Sequence, residues 1–202
     1  MALAKSGYKG IRGKTMIELR NFKDKELNIS WKLIDIGFHG SKEFYEELSS
    51  KDIINYAIST SENDFKDLAY KRLVEKIACE YEDNYEKLDY IIKELVKLEN
   101  NIDYKLEFRK WVYMYVYINL KKNSDYIQGL IELTELWAKL NFPDFSPHIV
   151  QGVNNDIIPQ EYYTAENYNN LLRKHFEWLE AELENIKKEE NSKETLYNKN
   201  DD

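Results

Sequence analysis

The chain has 202 residues, 29 Lys plus Arg and 37 Asp plus Glu, for a formal charge of −8. Four of those bases and none of the acids lie in residues 1–15, so the remainder carries −12, a balance that disfavours direct nucleic-acid binding and suits a basic partner. A lone cysteine, Cys79, excludes an intramolecular disulfide, and the longest apolar run is eight residues, far short of the roughly 20 that cross a bilayer.

Residues 1–15 read as a flexible basic arm, with Gly7, Gly10 and Gly13 among Lys5, Lys9, Arg12 and Lys14. Gly13-Lys14-Thr15 imitates the end of a phosphate-binding loop, but Tyr8 stands where that loop needs glycine. No apolar stretch follows the basic residues, so no secretory signal is expected, and the expected location is the cytoplasm.

Helical periodicity begins at Ile29. Ser30 is expected to cap a short helix carrying Trp31, Ile34 and Phe38, closed by Gly37 and Gly40. Ser49 or Ser50 caps a second, with Ile53, Ile54, Ala57 and Ile58 on one face. Asp64 opens a third through Phe65, Leu68, Ala69, Leu73 and Ile77, and Asn84 a fourth through Leu88, Ile91, Ile92 and Leu95.

Asp103 starts a helix whose residues 111–118, Trp-Val-Tyr-Met-Tyr-Val-Tyr-Ile, are apolar or aromatic on every side. Such a helix belongs at the centre of a bundle. Ser124 or Asp125 caps the next, with Ile127, Leu130, Ile131, Thr134, Trp137 and Leu140 as its stripe and Asn141-Phe142-Pro143 as its end. Residues 143–163 hold all three prolines and form the one long non-helical segment. Thr164 caps a last helix through Tyr168, Leu171, His175, Phe176, Leu179 and Ile186. The expected architecture is all-α: an irregular bundle of six to seven antiparallel helices over residues 16–188, with a disordered polar tail from 189 to 202.

Chemistry is sparse along this chain. His175 lies on an apolar stripe and reads as a packed histidine; His39 sits at a helix end, near free carbonyls. His148 lies in the long segment with Asp144 and Asp156, which would supply a base and its orienting acid in a helical enzyme, the alternative reading. Cys79 reads as a buried or half-buried thiol, and the paired carboxylates stand on polar faces. No cofactor or metal site is expected.

Surface character says more. Sixteen tyrosines and four tryptophans accompany the acids, and these are the side chains that dominate protein interfaces. Two segments interleave acids with tyrosines: 80–90, with Tyr81, Glu82, Asp83 and Tyr85, and 156–168, with Glu161, Tyr162 and Tyr163. These seven residues are the expected partner contacts, since acids steer a basic partner and aromatics anchor it.

Two stretches also carry a likeness. Ile29-Ser30-Trp31-Lys32 with Leu48-Ser49-Ser50-Lys51-Asp52-Ile53, and Arg109-Lys110-Trp111-Val112-Tyr113 with Trp137-Ala138 and Asn141-Phe142-Pro143, resemble an uncharacterised bacterial family, a domain of unknown function. The likeness spans roughly Ile29 to Leu183, and Gln128-Gly129-Leu130 and Val150-Gln151-Gly152-Val153 depart from its pattern. The resemblance implies an all-helical bacterial protein, of the style of immunity proteins that neutralise toxins. The functional expectation is therefore a non-enzymatic inhibitor of a basic toxin domain such as a nuclease. A self-associating helical scaffold is a further alternative.

Overall fold

The computed structural model describes residues 17–40, 48–63, 65, 67–99 and 102–198, with side chains through 192. Among these residues the fold is all-α, with nine helices. They are α1 (Leu19–Asp24), α2 (Trp31–His39), α3 (Ser50–Ser61), α4 (Leu68–Ala78), α5 (Tyr85–Leu98), α6 (Tyr104–Asn119), α7 (Tyr126–Ala138), α8 (Pro159–Tyr162) and α9 (Ala165–Asn198). The expected arm, its phosphate-loop mimic and Asp64 fall outside the described residues.

Caps set most of the starts. Ser30 accepts from the Leu33 N–H, Ser49 from Asp52, Asp103 from Lys105, and Asp125 from Ile127 and Gln128. Thr164 Oγ1 accepts from the Asn167 N–H at 3.1 Å, as expected for the last helix. Asp67 performs this task for α4, accepting from Ala69 and Tyr70, so Leu68 and Ala69 begin the helix exposed rather than lining its apolar face. Short α1 and α8 were not expected; α8 forms inside the proline-rich segment, with Pro159 in its first turn.

The helices pack as a series: α3 on α4, α4 on α5, α5 on α2, α2 on α6, α6 on α9, and α9 on α7. Helix α6 is central, and its residues 110–116 are buried in unbroken succession. Trp111 locks it to α2, donating from Nε1 to the Leu33 carbonyl at 2.8 Å and meeting Phe22 edge to face at 5.0 Å. A second apolar cluster, with Leu130, Leu133, Tyr162, Tyr168, Leu171 and Leu172, lies between α7, α8 and the start of α9.

Gly37 does not end α2. It is buried within the helix, and a Cβ there would run into the Trp111 indole and come within 2.8 Å of Leu48 Cδ1. The close approach of α6 requires its missing side chain; the helix closes instead at Gly40, with φ 73°. Gly37→Ala is expected to cost about 1–3 kcal/mol through overpacking, overriding the ~1 kcal/mol that alanine gains in a helix interior. Urea denaturation reads this directly, and an unchanged or raised midpoint would refute the close-packing account. Gly129 does the same for α7, where a Cβ would meet the Tyr168 ring at 2.5 Å. The Gln128-Gly129-Leu130 departure thus makes the seat of an aromatic ring.

Other expectations need correction. Ile127 and Ile131 face outward from α7, whose buried side is Gly129, Leu130, Leu133, Leu136 and Trp137. Cys79 is exposed rather than buried, because it occupies the C-cap of α4, where its backbone N–H returns to Glu75 and Ile77. The tail expected from 189 is instead continuous with α9, which runs to Asn198. At residues 189 and 190 two ion pairs hold the helix: Glu189 meets Arg109, and Glu190 meets Lys110, so these polar residues are fixed where apolar ones would have been sought.

Candidate functional site

The segment 80–90 forms the turn from α4 to α5 and the first residues of α5, and Glu80 organises the turn. Its carboxylate accepts from the Tyr81 N–H at 3.2 Å and from Asn84 Nδ2 at 3.0 Å, and pairs with Lys87 at 2.5 Å. Lys87 chiefly, with these donors, holds the Glu80 carboxyl below its usual range. With Glu80 turned inward, its neighbours point out: Tyr81 is 76% exposed, and Glu82, Asp83 and Glu86 are exposed and make no ion pair among the described residues. Tyr85 stacks on Phe38 at 4.5 Å while keeping an exposed edge, and Tyr90, which sequence reasoning did not single out, is 63% exposed one turn further.

His39 closes the inner border of this surface. Its Nε2 lies 2.5 Å from Asp89 Oδ1, and its Nδ1 lies 3.1 Å from the Asp35 carbonyl and 2.9 Å from the Asp35 carboxylate. The expected carbonyl contact is present, together with the Asp35 carboxylate one turn back and that of Asp89, which sequence separation hid. Lys93 and then His39 draw the Asp89 carboxyl below its usual range against the opposing effect of burial.

The second segment splits. Glu161 and Tyr163 are exposed, but Tyr162 is only 3% exposed and is no surface contact. Its hydroxyl donates to the Ile149 carbonyl at 3.0 Å and its ring enters the second apolar cluster, because the short α8 turns one of two adjacent tyrosines inward. The two segments also stand apart in the packing series: α4 and α5 belong to the main core, α8 to the second cluster.

The long segment is tightly built. Asn155 Nδ2 donates to the Val150 and Val153 carbonyls at 2.8 and 2.7 Å, while its Oδ1 accepts from the Gly152 and Ile157 N–H groups. Phe142, at φ 45°, and Asn154, at φ 56°, both hold left-handed backbone, a conformation costing about 1–3 kcal/mol outside glycine. Between them lies an open hollow of about 580 Å³, with His148 in its wall.

The partners of His175 fix its tautomer, and the Thr134 hydroxyl sets that of His148 through its own bond to Leu130. His175 Nδ1 faces the Leu171 carbonyl at 2.6 Å and therefore carries the proton, and Nε2 accepts from Trp137 Nε1 at 2.7 Å. Thr134 donates its hydroxyl to the Leu130 carbonyl, so its oxygen receives Nε2–H of His148 at 3.0 Å. That leaves His148 Nδ1 as a buried acceptor without a donor, a loss of about 1–3 kcal/mol. Burial first, then neighbouring His175, pulls His148 down to about 4; burial lowers His175 as well. Neither Asp144 nor Asp156 reaches a ring nitrogen of His148, so the expected base and orienting acid do not assemble. Thr134 and Trp137 were legible only as stripe residues; nothing in their spacing announced their histidine partners.

Among the described residues, no group of three His, Cys, Asp or Glu side chains is placed to hold a metal ion. No helix among them is long and apolar enough to cross a membrane.

A model of one bacterial protein family, described as "Uncharacterized protein conserved in bacteria (DUF2247)", matches residues 19–183. The chain belongs to DUF2247. No curated protein and no solved structure matches it. The DUF2247 match covers α1 to α8 and most of α9, so the two surfaces described above both lie inside it.

Proposed function

We propose that this DUF2247 chain is a non-enzymatic protein-binding module, an immunity or inhibitor protein that neutralises a basic bacterial toxin domain such as a nuclease. One observation carries the reading: the α4–α5 turn and the start of α5 expose Tyr81 and Tyr90 together with Glu82, Asp83 and Glu86, which have no ion-pair partner among the described residues. Exposed aromatics with a polar tip supply anchoring area, and unpaired acids supply steering. Tyr81, Glu82, Asp83 and Tyr85 form the proposed contact set, extended by Tyr90. Glu161 and Tyr163 stand outside it, and Tyr162 is removed from it by burial.

The test is calorimetric titration with the product of the gene directly upstream, at low and moderate salt. Nanomolar binding weakened by salt supports the inhibitor reading; no binding at tens of micromolar sinks it. Glu82→Lys with Asp83→Lys is expected to slow association by about 10-fold or more at low ionic strength, since steering contributes 10 to 10³-fold. Stopped-flow measurement of the rate checks this, and an unchanged rate excludes the turn from the interface.

A further inference from the structure

The hollow beneath the long segment lies apart from the α4–α5 surface and stands on observations of its own. Three features specify what fits it. Its wall is largely apolar, with Phe142, Ile149 and Val153 all exposed toward solvent around it. Asp144 is the one carboxylate-bearing side chain among the described residues of its lining. His148, 9% exposed, presents a ring whose Nε2–H is committed to Thr134 and whose Nδ1 lone pair has no donor.

We propose that this hollow binds a small aromatic amine: a flat apolar body with a hydroxyl or N–H donor at one end and an ammonium at the other. The body replaces water along Phe142, Ile149 and Val153. The donor end supplies the hydrogen that His148 Nδ1 lacks. The ammonium end meets the Asp144 carboxylate at the mouth. About 580 Å³ accommodates a ligand of that size with room to spare. The Phe142 ring lies nearly parallel to the His148 ring, 18° apart with centroids at 6.4 Å, and Nδ1 itself is buried, so a donor that reaches it displaces the side chains around it.

The site is fixed from behind rather than by the ligand. Thr134 is itself anchored to Leu130, and Tyr162 and Asn155 hold the segment's backbone at Ile149 and Val150. The His148 lone pair therefore keeps its direction without a ligand, and the histidine acts as a selector for donors over non-donors.

Three probes separate the contributions: tyramine, with donor and ammonium; phenethylamine, without the phenol hydroxyl; and p-cresol, without the ammonium. The full-length chain, with ¹⁵N-labelled histidine rings, is titrated with each and followed by NMR. Tyramine is expected to move the His148 Nδ1 resonance toward that of a hydrogen-bonded acceptor, and to bind roughly fivefold to tenfold more tightly than phenethylamine. His148→Phe should erase that difference, and Asp144→Asn should weaken tyramine but not p-cresol. If His148→Phe fails to fold, the Nδ1 shift in the native chain decides. The proposal is overturned if no probe saturates by roughly 10 mM, or if tyramine binds with Nδ1 unmoved. Neither result bears on the α4–α5 surface, which the upstream partner tests separately.

Discussion

Lys110→Met is expected to destabilise the fold by about 3–5 kcal/mol, the cost of leaving buried carboxylates without their cation. Lys110 is 2% exposed at the centre of the molecule. Its ammonium has three hydrogens and three acceptors: Glu107 Oε1 at 2.8 Å, Glu190 Oε1 at 2.6 Å and the Asn28 carbonyl at 3.0 Å. Glu190 accepts in turn from the Asn28 N–H, so one cation ties α6, α9 and the approach to α2 together. Removing it leaves the buried Glu107 and Glu190 without their cation; desolvation already holds the Glu107 carboxyl above its usual range despite Lys110 beside it. Replacing all three charges together, as Lys110→Met with Glu107→Leu and Glu190→Leu, should recover most of the loss, because nothing charged is then left buried. Urea denaturation of the single and triple variants measures both. A single-variant loss under about 1 kcal/mol would contradict a buried, mutually dependent cluster.

That cluster marks the boundary of what the sequence made legible. The helices announced themselves through apolar spacing and caps, and the central role of α6 followed from an aromatic run with no polar face. The Arg109-Lys110-Trp111 landmark was visible too, but not its work. Arg109 reaches Glu182 and Glu189, Lys110 reaches Glu190, and Trp111 fills the space that Gly37 leaves. Ionic partners some 70 to 80 residues away leave no periodic trace, which is why α9 was expected to stop at the first polar run. Glu99 teaches the same lesson at another helix end: it accepts from the Trp31 and Lys32 N–H groups at the start of α2, across more than 60 residues. For the surfaces, the run of acids and tyrosines pointed to exposed side chains at the α4–α5 junction, and Glu82 and Asp83 are exposed there. It misassigned Tyr162, because adjacent tyrosines are equivalent in sequence until a turn of helix chooses which one faces the core.

The same hidden pairing makes acid sensitivity a second strong expectation. His148 titrates near 6.5 in the unfolded chain and near 4 in the folded one. Above pH 6.5 both states hold it neutral, and its contribution to stability is fully present. As the pH falls from 6.5 to 4 the unfolded chain takes up a proton that the folded chain refuses, so stability declines by about 3 kcal/mol and levels off below 4. His175 acts in the same direction, since its protonated Nε2 would no longer accept from Trp137. Glu99, Glu107 and Asp52 act in the opposite direction: burial raises all three, so the stability linked to them is greatest at low pH and is lost as pH rises through their folded values. The profile of the native chain therefore mixes both signs. The difference between the native chain and His148→Gln isolates one. That difference, from urea denaturation at intervals between pH 7 and pH 4, should move by about 3 kcal/mol in favour of the variant as acid is added. A difference that stays constant across this range would mean that His148 meets solvent freely in the folded chain, and the buried acceptor at its Nδ1 would go with it.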